Sequence, residues 1–240
     1  MISLAIDTAT DRLSVALGRP GAPVIERNLE GARRHAAALL PMVAALLEET
    51  ETPLSAVTAL AIADGPGSFT GLRVGAAAVK ALARTLPGLE VWKASSLMVR
   101  AAGVAAPHGA RVLVVTSALR GELYAACYRV DLPHAIETLT PPGLATPESL
   151  HGETPDLLIA DAQEKLVERL AAQFEVPLVR GPASLPSAAA LLALVGPAGG
   201  AERIAALDDW EPVYGRPAEA QVKWETVHGR ALPDSPRQLG

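Results

Sequence analysis

One order of predicted secondary-structure elements occurs twice along this chain. In each half, three short apolar runs separated by polar turns predict three strands, and the following segments predict helix, strand, helix, strand and helix. A repeated β-β-β-α-β-α-β-α unit predicts an α/β fold with two similar domains, each a mixed sheet with a hairpin at one edge and helices on its faces. The expected divisions are 1–106 for the first domain, 107–207 for the second and 208–240 for a polar tail.

Two segments of the first half predict unusually apolar helices. The first, RRHAAALLPMVAALLEET, is rich in alanine and leucine, and Pro41 is expected to kink it. The second, LRVGAAAVKALARTL, offers few polar side chains. A surface helix normally keeps a polar face, so these helices predict an exposed apolar patch that another subunit covers. The alternative, that small alanine side chains simply fill solvent-facing positions, stays open.

A glycine-rich loop, ADGPGSFTGLRVG over 63–75, connects a predicted buried strand to the second of these helices. It lacks the GxxxxGK order of a P-loop and the GxGxxG spacing of a dinucleotide site. The N-terminus of the following helix presents free N–H groups, so an anion could bind there. Alternatively, Ser68 and Thr70 cap the helix themselves, and the glycines only let the backbone turn and pack closely.

The second half predicts the same elements less regularly. A proline-rich loop is expected after Thr140, with one helical turn at 148–150. Asp161 and Glu164 have the spacing of a capping box, in which the Asp161 side chain accepts a backbone N–H bond and opens a helix. Another helix is expected over 187–195. The final residues could dock on either domain.

Composition excludes several classes of protein. A net charge of -5 and an aromatic content of 3% argue against a surface that binds nucleic acid unaided. The single cysteine, Cys127, excludes an intrachain disulfide framework and fits a reducing compartment. The N-terminus lacks the basic stretch of a signal peptide, and the longest apolar run, 36–47, is too short to span a membrane. A cytoplasmic protein without membrane contact is expected.

Several motifs give the chain a resemblance to a known family. They are LAIDTAT, the first apolar helix, ADGPGSFTGLRVG, the ASSL step, RGELYAACY and the late WEPVYGRP. Together with the duplicated unit, they resemble the actin-like ATPase and sugar kinase superfamily and, within it, the TsaB family, also called YeaZ. The resemblance implies an accessory subunit in bacterial synthesis of threonylcarbamoyladenosine, beside the anticodon of tRNA.

The resemblance also implies partners. Such a subunit pairs with a catalytic paralogue, TsaD, and the ATPase TsaE joins them; tRNA is contacted only through this complex, and a homodimer is expected when TsaD is absent. No cofactor of its own is implied, and any ATP or ADP is expected at the subunit interface. The two apolar helices form the pairing surface. The residues expected there are His35, Leu39, Leu40, Val43, Leu46, Leu72, Arg73, Ala76, Val79 and Lys80.

In the superfamily, two hairpin turns that face each other across a cleft hold phosphates and their metal. The first turn here has Asp7 among its residues. The second has Thr116 and Ser117, where many relatives have an aspartate. Asp7 can equally end a strand and bond its own turn. The candidates for nucleotide or anion contact are Asp7, Thr8, Thr10, Gly65, Gly67, Ser68, Thr70 and Gly71.

Catalytic groups are sparse in the sequence. The catalytic paralogue has two metal-binding histidines one helical turn apart, but Leu39 follows His35 at that spacing, so no metal site is expected and a metallopeptidase fails on ligand count. Cys127 lies in the apolar run LYAACYRV and is expected to be a buried, inert thiol. The leading hypothesis is a non-catalytic subunit. The rival is an autonomous kinase or ATPase that uses Asp7.

Overall fold

The computed structural model describes residues 1–19, 21–31, 34–118, 122–195, 199–215 and 227–229. The strands are β1 (Ser3–Asp7), β2 (Arg12–Gly18), β3 (Ile25–Glu30), β4 (Ala59–Ala63), β5 (Glu90–Ala94), β6 (Ala110–Ser117), β7 (Leu123–Asp131), β8 (Ala135–Ala145), β9 (Leu157–Asp161), β10 (Leu178–Val179) and β11 (Glu202–Arg203). The helices are α1 (His35–Glu49), α2 (Phe69–Thr85), α3 (Ser96–Ala102), α4 (Glu164–Phe174) and α5 (Ala188–Ala193). Short 3-10 helices lie at Leu54–Ala56, Glu148–Leu150 and Gly181–Ser184.

The strands form two mixed sheets of similar design. The first has the order β11-β5-β4-β1-β2-β3, and the second has the order β10-β9-β6-β7-β8. In each, one strand pairs in parallel with a later strand and antiparallel with the next strand of a hairpin: β1 with β4 and β2, and β6 with β9 and β7. The predicted fold class, α/β with a duplicated unit, is confirmed.

Side-chain size differs between the two faces of the first sheet. On one face, Ala5 pairs with Ala16 on one side and with Ala61 on the other. On the opposite face, Leu4 pairs with Leu60, and this face packs in one hydrophobic cluster with α1 and α2. Period-two alternation therefore gives the sheet a small-residue face and a large-residue face, and different helices pack on each.

The central layer of the molecule contains one helix from each half. α5 packs against β1 and β2 of the first sheet, whereas α3 packs against β6 and β7 of the second, and the two helices contact each other. They share one core cluster with the alanine face of the first sheet. The layers are therefore α1 with α2, the first sheet, α3 with α5, the second sheet, and α4. The division at residues 106 and 107 stays a prediction.

Two local predictions for the second half are wrong. The expected loop after Thr140 is strand, because β8 continues through Pro141 and Pro142 at the sheet edge, where its pairing with β7 shifts register and the prolines need no N–H partner. Asp161 does not cap α4, whose N-cap is Gln163 without a side-chain bond. No helix within the described part of the chain is long and apolar enough to cross a membrane.

Candidate functional site

The glycine loop packs directly against the first hairpin turn. A Cβ atom on Gly67 would lie 2.2 Å from the carbonyl oxygen of Ala9, and one on Gly71 would lie 2.0 Å from that of Thr8. The N–H group of Ser68 donates to the Ala9 carbonyl at 2.7 Å. These glycines are therefore needed for close backbone contact within the chain, as the packing alternative predicted.

The first turn of α2 is capped from within the loop. Ser68 is the N-cap residue, and its Oγ accepts a bond from the N–H of Gly71 at 3.2 Å. Thr70 lies exposed in the same turn. The N–H of Gly71, which has no partner within the helix, is therefore bonded by Ser68, and this confirms the capping prediction for Ser68.

The start of the predicted tail docks on the loop from the other side. The N–H of Val213 donates to the carbonyl of Asp64 at 2.7 Å, and its own carbonyl oxygen lies 2.1 Å from the position of a Cβ on Gly65. Residues 216–226 and 230–240 of the predicted tail lie outside the described residues. Val213 therefore lies on the first unit, whereas Gly215 reaches the second, where a Cβ on it would lie 2.7 Å from the Tyr124 ring; the sequence left this placement open.

Aromatic and cationic side chains hold this tail segment against α2. The rings of Phe69 and Tyr214 lie 4.7 Å apart, and the guanidinium carbon of Arg73 lies 4.4 Å from the centre of the Phe69 ring. The Nζ of Lys80 lies 3.3 Å from the carboxylate of Glu211. Two residues predicted at the partner interface, Arg73 and Lys80, thus contact rings or carboxylates of the chain itself.

A cleft of about 580 Å³ lies between the two hairpin turns. Hydroxyl groups from both halves line it, Thr10 and Ser68 from the first and Thr116 and Ser117 from the second. Residues 119–121 of the second turn lie outside the described residues. The described parts of the two turns therefore border one cleft, as the superfamily resemblance implied.

An arginine crosses this cleft between the two units. Arg100 of α3 is 4% exposed, its Nη2 donates to Oδ2 of Asp161 at 2.9 Å, and its Nη1 donates to the carbonyl of Ser184 at 2.6 Å. Burial lowers the pKa of Arg100 and Asp161 opposes the shift, so the guanidinium remains charged. Because Asp161 forms this ion pair, its carboxylate is not available to cap α4.

Asp7 forms a turn with its own neighbours. It is 0% exposed, and its Oδ1 accepts a bond from the N–H of Ala9 at 2.9 Å. Burial raises its pKa to about 6, and the Ala9 N–H opposes the shift. The Oδ2 atom and the Thr8 hydroxyl are buried without hydrogen-bond partners among the described residues. Asp7 therefore forms the strand-end turn that the sequence left open as the alternative to ligand contact.

His35 connects α1 to the first hairpin turn. It is 2% exposed, and its Nε2 lies 3.0 Å from the carbonyl oxygen of Thr10.

Within the described ranges, no group of three or more His, Cys, Asp or Glu side chains could hold a metal. Cys127 is buried, and burial raises the pKa of its thiol to about 11, so it is inert as predicted.

The predicted partner residues of α1 and α2 lie on two different faces. Those that the structure buries in the core are Leu39, Val43, Leu46, Leu72, Ala76 and Val79. Leu40, by contrast, is 50% exposed. The buried residues cannot meet a partner while the helices keep their positions, so the assignment of these residues to a contact surface is corrected.

The exposed side of the two helices carries apolar residues, mostly small, of which only Leu40 was predicted from the sequence as a partner contact. We call this surface the outer face; it consists of Ala36, Ala37, Leu40, Pro41, Ala44 and Ala45 of α1 with Ala77 and Ala81 of α2. The available signal was side-chain volume rather than polarity, since the bulky residues at 39, 43 and 46 recur at helical spacing and the alanines between them point away from the core. Between Ala36 and Ala45, the side of α1 that faces away from the core is therefore apolar, like the side that faces the core.

Comparisons with known proteins match this chain to proteins of threonylcarbamoyladenosine synthesis. The family model described as TsaD, tRNA N6-adenosine threonylcarbamoyltransferase, matches residues 29–184. The tRNA threonylcarbamoyladenosine biosynthesis protein TsaB of Escherichia coli (strain K12) is 33% identical over 238 residues, which cover 95% of this chain and 98% of that protein. The solved structure of YeaZ from Pseudomonas aeruginosa has a TM-score of 0.74 and 32% identity, covering 89% of this chain and 99% of its own. The chain therefore belongs to the TsaB family.

Proposed function

We propose that this chain is a non-catalytic subunit in the synthesis of threonylcarbamoyladenosine in tRNA, where it binds and stabilises the threonylcarbamoyltransferase TsaD in a complex that TsaE joins. The names of its relatives support the pathway. The observation that carries the subunit role is the outer face, an apolar helical surface on a chain whose net charge is -5. An uncovered apolar surface of this kind is typical of a protein interface.

The outer face has the shape of a close helical contact. Ala37, Ala44 and Ala77 are exposed and small, so the backbone of a partner helix can approach closely. Leu40 supplies a larger apolar group, and burying a leucine side chain fully contributes about 1.5–3 kcal/mol. TsaD is the proposed occupant, and a second copy of this chain takes its place when TsaD is absent.

The cleft supports a role without catalysis. The second hairpin turn has Thr116 and Ser117 where many relatives have an aspartate, and of the two carboxylates that line the cleft in the described part of the chain, Asp11 and Asp161, the latter is paired with Arg100. The hydroxyl groups of the cleft favour the rival function, an autonomous kinase or ATPase. That rival predicts ATP turnover by the purified chain that Asp7→Ala abolishes. In our proposal ATP or ADP lies at the interface with TsaD instead.

Reconstitution tests the function directly. TsaD, TsaE, threonylcarbamoyl-adenylate and tRNA are combined with and without this chain, and modified adenosine is quantified. We expect modification that depends on the chain, and no ATP turnover or modification by the chain alone. Equal modification in its absence would contradict the proposal.

A matched pair of variants tests the surface. Leu40→Asp places a charge on the outer face, and Leu144→Asp places the same charge at a residue of β8 that is 45% exposed. Both variants are expected to unfold near the parent temperature, because neither residue is in the core. Only Leu40→Asp should lose co-elution with TsaD. If Leu40→Asp co-elutes as the parent does, the outer face is not the contact.

A further inference from the structure

A second cavity lies between the two units, separate from the cleft. Its volume is about 290 Å³, and Pro66 lies between the two cavities because it lines both. The ends of β4 and β5 and the start of α3 form one side, β7 and β8 form the other, and Val213 of the docked tail borders it. We call it the Asp64 pocket. None of its lining belongs to the outer face, so its role is independent of the pairing proposed above.

Two carboxylates of this pocket share one ammonium group. The Nζ of Lys93 lies 3.4 Å from Oδ2 of Asp64 and 3.3 Å from Oε2 of Glu202. Charge-assisted N–H···O bonds are usually about 2.7–2.9 Å long, so Lys93 lies between two acceptors without binding either tightly. Asp64 is 4% exposed, whereas Glu202 is exposed. The buried carboxylate is therefore only loosely neutralised.

The Tyr128 hydroxyl is another polar group of the lining. The side chain is 0% exposed, and its hydroxyl makes no well-aligned hydrogen bond among the described residues, although the Ser95 hydroxyl lies near enough to lower its pKa slightly against the effect of burial. A buried hydroxyl without a partner costs stability, and a ligand that bonds it recovers that cost. Met98, Pro141 and Pro142 add apolar surface beside it. The pocket thus combines surplus hydrogen-bond acceptors with apolar walls.

We propose that the Asp64 pocket binds a primary ammonium group on a short alkyl stem. The ammonium donates to the Asp64 carboxylate and to the Tyr128 hydroxyl, and Lys93 then pairs with Glu202. The stem packs against the apolar wall at Met98. This arrangement gives two cations for two carboxylates. The ammonium group belongs either to a free alkylamine or to a lysine side chain of a partner protein, and the experiment separates these sources.

The titration of the pocket agrees with a cationic ligand. Burial raises the pKa of Asp64, and Lys93 opposes the shift. Burial lowers the pKa of Lys93, but Asp64 and Glu202 outweigh it and raise that pKa above its usual value. Burial raises the pKa of Tyr128, so its hydroxyl keeps its proton. An ammonium ligand favours ionised Asp64, so binding should weaken as the pH falls below the pKa of that group.

Binding of n-butylamine to the full chain tests the proposal, with n-butanol as the neutral analogue of the same shape. Titration calorimetry should show n-butylamine binding at least about tenfold more tightly, a difference of about 1.4 kcal/mol. Asp64→Asn should remove this preference, and Asp209→Asn, a change at an exposed tail residue, should keep it. Equal affinity for the two probes, or an unchanged preference in Asp64→Asn, overturns the proposal.

A second variant keeps the test valid if Asp64→Asn fails to fold. Lys93→Met leaves Asp64 without its cation, so n-butylamine should raise the melting temperature of this variant more than that of the parent. Equal increments overturn the proposal. Competition by N-acetyl-lysine methylamide supports the pocket and indicates a lysine of a partner protein. Binding of n-butylamine without such competition supports the pocket and indicates a free amine.

Discussion

α2 and α4 hold equivalent positions in the two units, yet their exposed sides differ. Each follows the strand that pairs in parallel with the first strand of its unit. α4 exposes Lys165, Glu168 and Arg169, and it buries apolar residues on its inner side. α2 exposes Ala77 and Ala81 along its middle. The charged side of α4 is that of a helix whose outer surface meets water.

This difference shows that the fold and the partner surface use different residues of the same helices. The inner sides of α1 and α2 complete the core, as the inner side of α4 does in the second unit. The outer sides are not constrained by packing in the core, so the fold alone does not determine which residues lie there. The outer side of α1 and α2 carries charges only towards the helix ends, at Arg73, Arg84 and Glu48, and its apolar middle supports the first unit as the one that meets a partner.

Leu39→Asp should destabilise the fold strongly. It tests whether the inner and outer sides of α1 have different roles. Leu39 is 1% exposed and Leu40 is 50% exposed, although the two are adjacent in α1. A charge buried at position 39 should lower the free energy of unfolding by more than about 4 kcal/mol. Urea denaturation measures this, with Leu40→Asp as the control. Equal losses in the two variants would mean that the two sides are not distinct.

Asp161→Ala should have the next largest effect, because it leaves Arg100 charged and buried without its partner. Loss of one partner of a buried ion pair costs about 3–5 kcal/mol, and because Arg100 is buried but Asp161 is exposed, we expect a loss at the lower end of that range. The control is Glu148→Ala, which removes the ion pair of Arg169 on the exposed side of α4. That pair is exposed, so its removal should cost much less than the removal of Asp161. Comparable losses would show that the connection across the cleft is no stronger than a surface pair.

Asp7→Asn should change how stability depends on pH. The pKa of Asp7 is raised from 3.8 to about 6 by burial, so its contribution to stability is fully present below pH 4 and is lost as the pH rises through 6. The loss is on the order of 2–3 kcal/mol. The asparagine variant should therefore be more stable than the parent at pH 8, with little advantage at pH 4. Denaturation across this pH range measures the difference in stability between the two proteins. The control is Thr116→Val at the corresponding hairpin, which changes no titrating group.

Periodicity and turn chemistry were sufficient to predict most of the fold. Three apolar runs with polar turns predicted each hairpin, and the loop before Phe69 predicted the capped start of α2. Which side of α1 faces outward was not predicted, because alanine and leucine on both sides leave the helical period nearly flat. Bulky Leu39 and small Ala37 differ in volume more than in polarity, and packing separates them by volume.

Contacts between distant segments could not be predicted from the sequence. Arg100 and Asp161 are bonded across the cleft although a local capping box was the simpler expectation for Asp161. The docking of Val213 on the loop depends on a backbone bond to Asp64, which leaves no trace in residue type. Such pairings depend on where the two units meet, and one sequence alone does not encode that geometry in a local pattern.

In the central layer, α3 of the first half packs on the second sheet and α5 of the second half packs on the first sheet. This crossed packing has a consequence for synthesis on the ribosome. The alanine face of the first sheet stays uncovered until α5 has emerged, so residues 1–106 are expected not to fold when they are released alone. Although the two halves repeat one order of elements, we expect them to fold as a single cooperative unit. Helix α5 and strand β11, both of the second half, complete the first sheet and its alanine face.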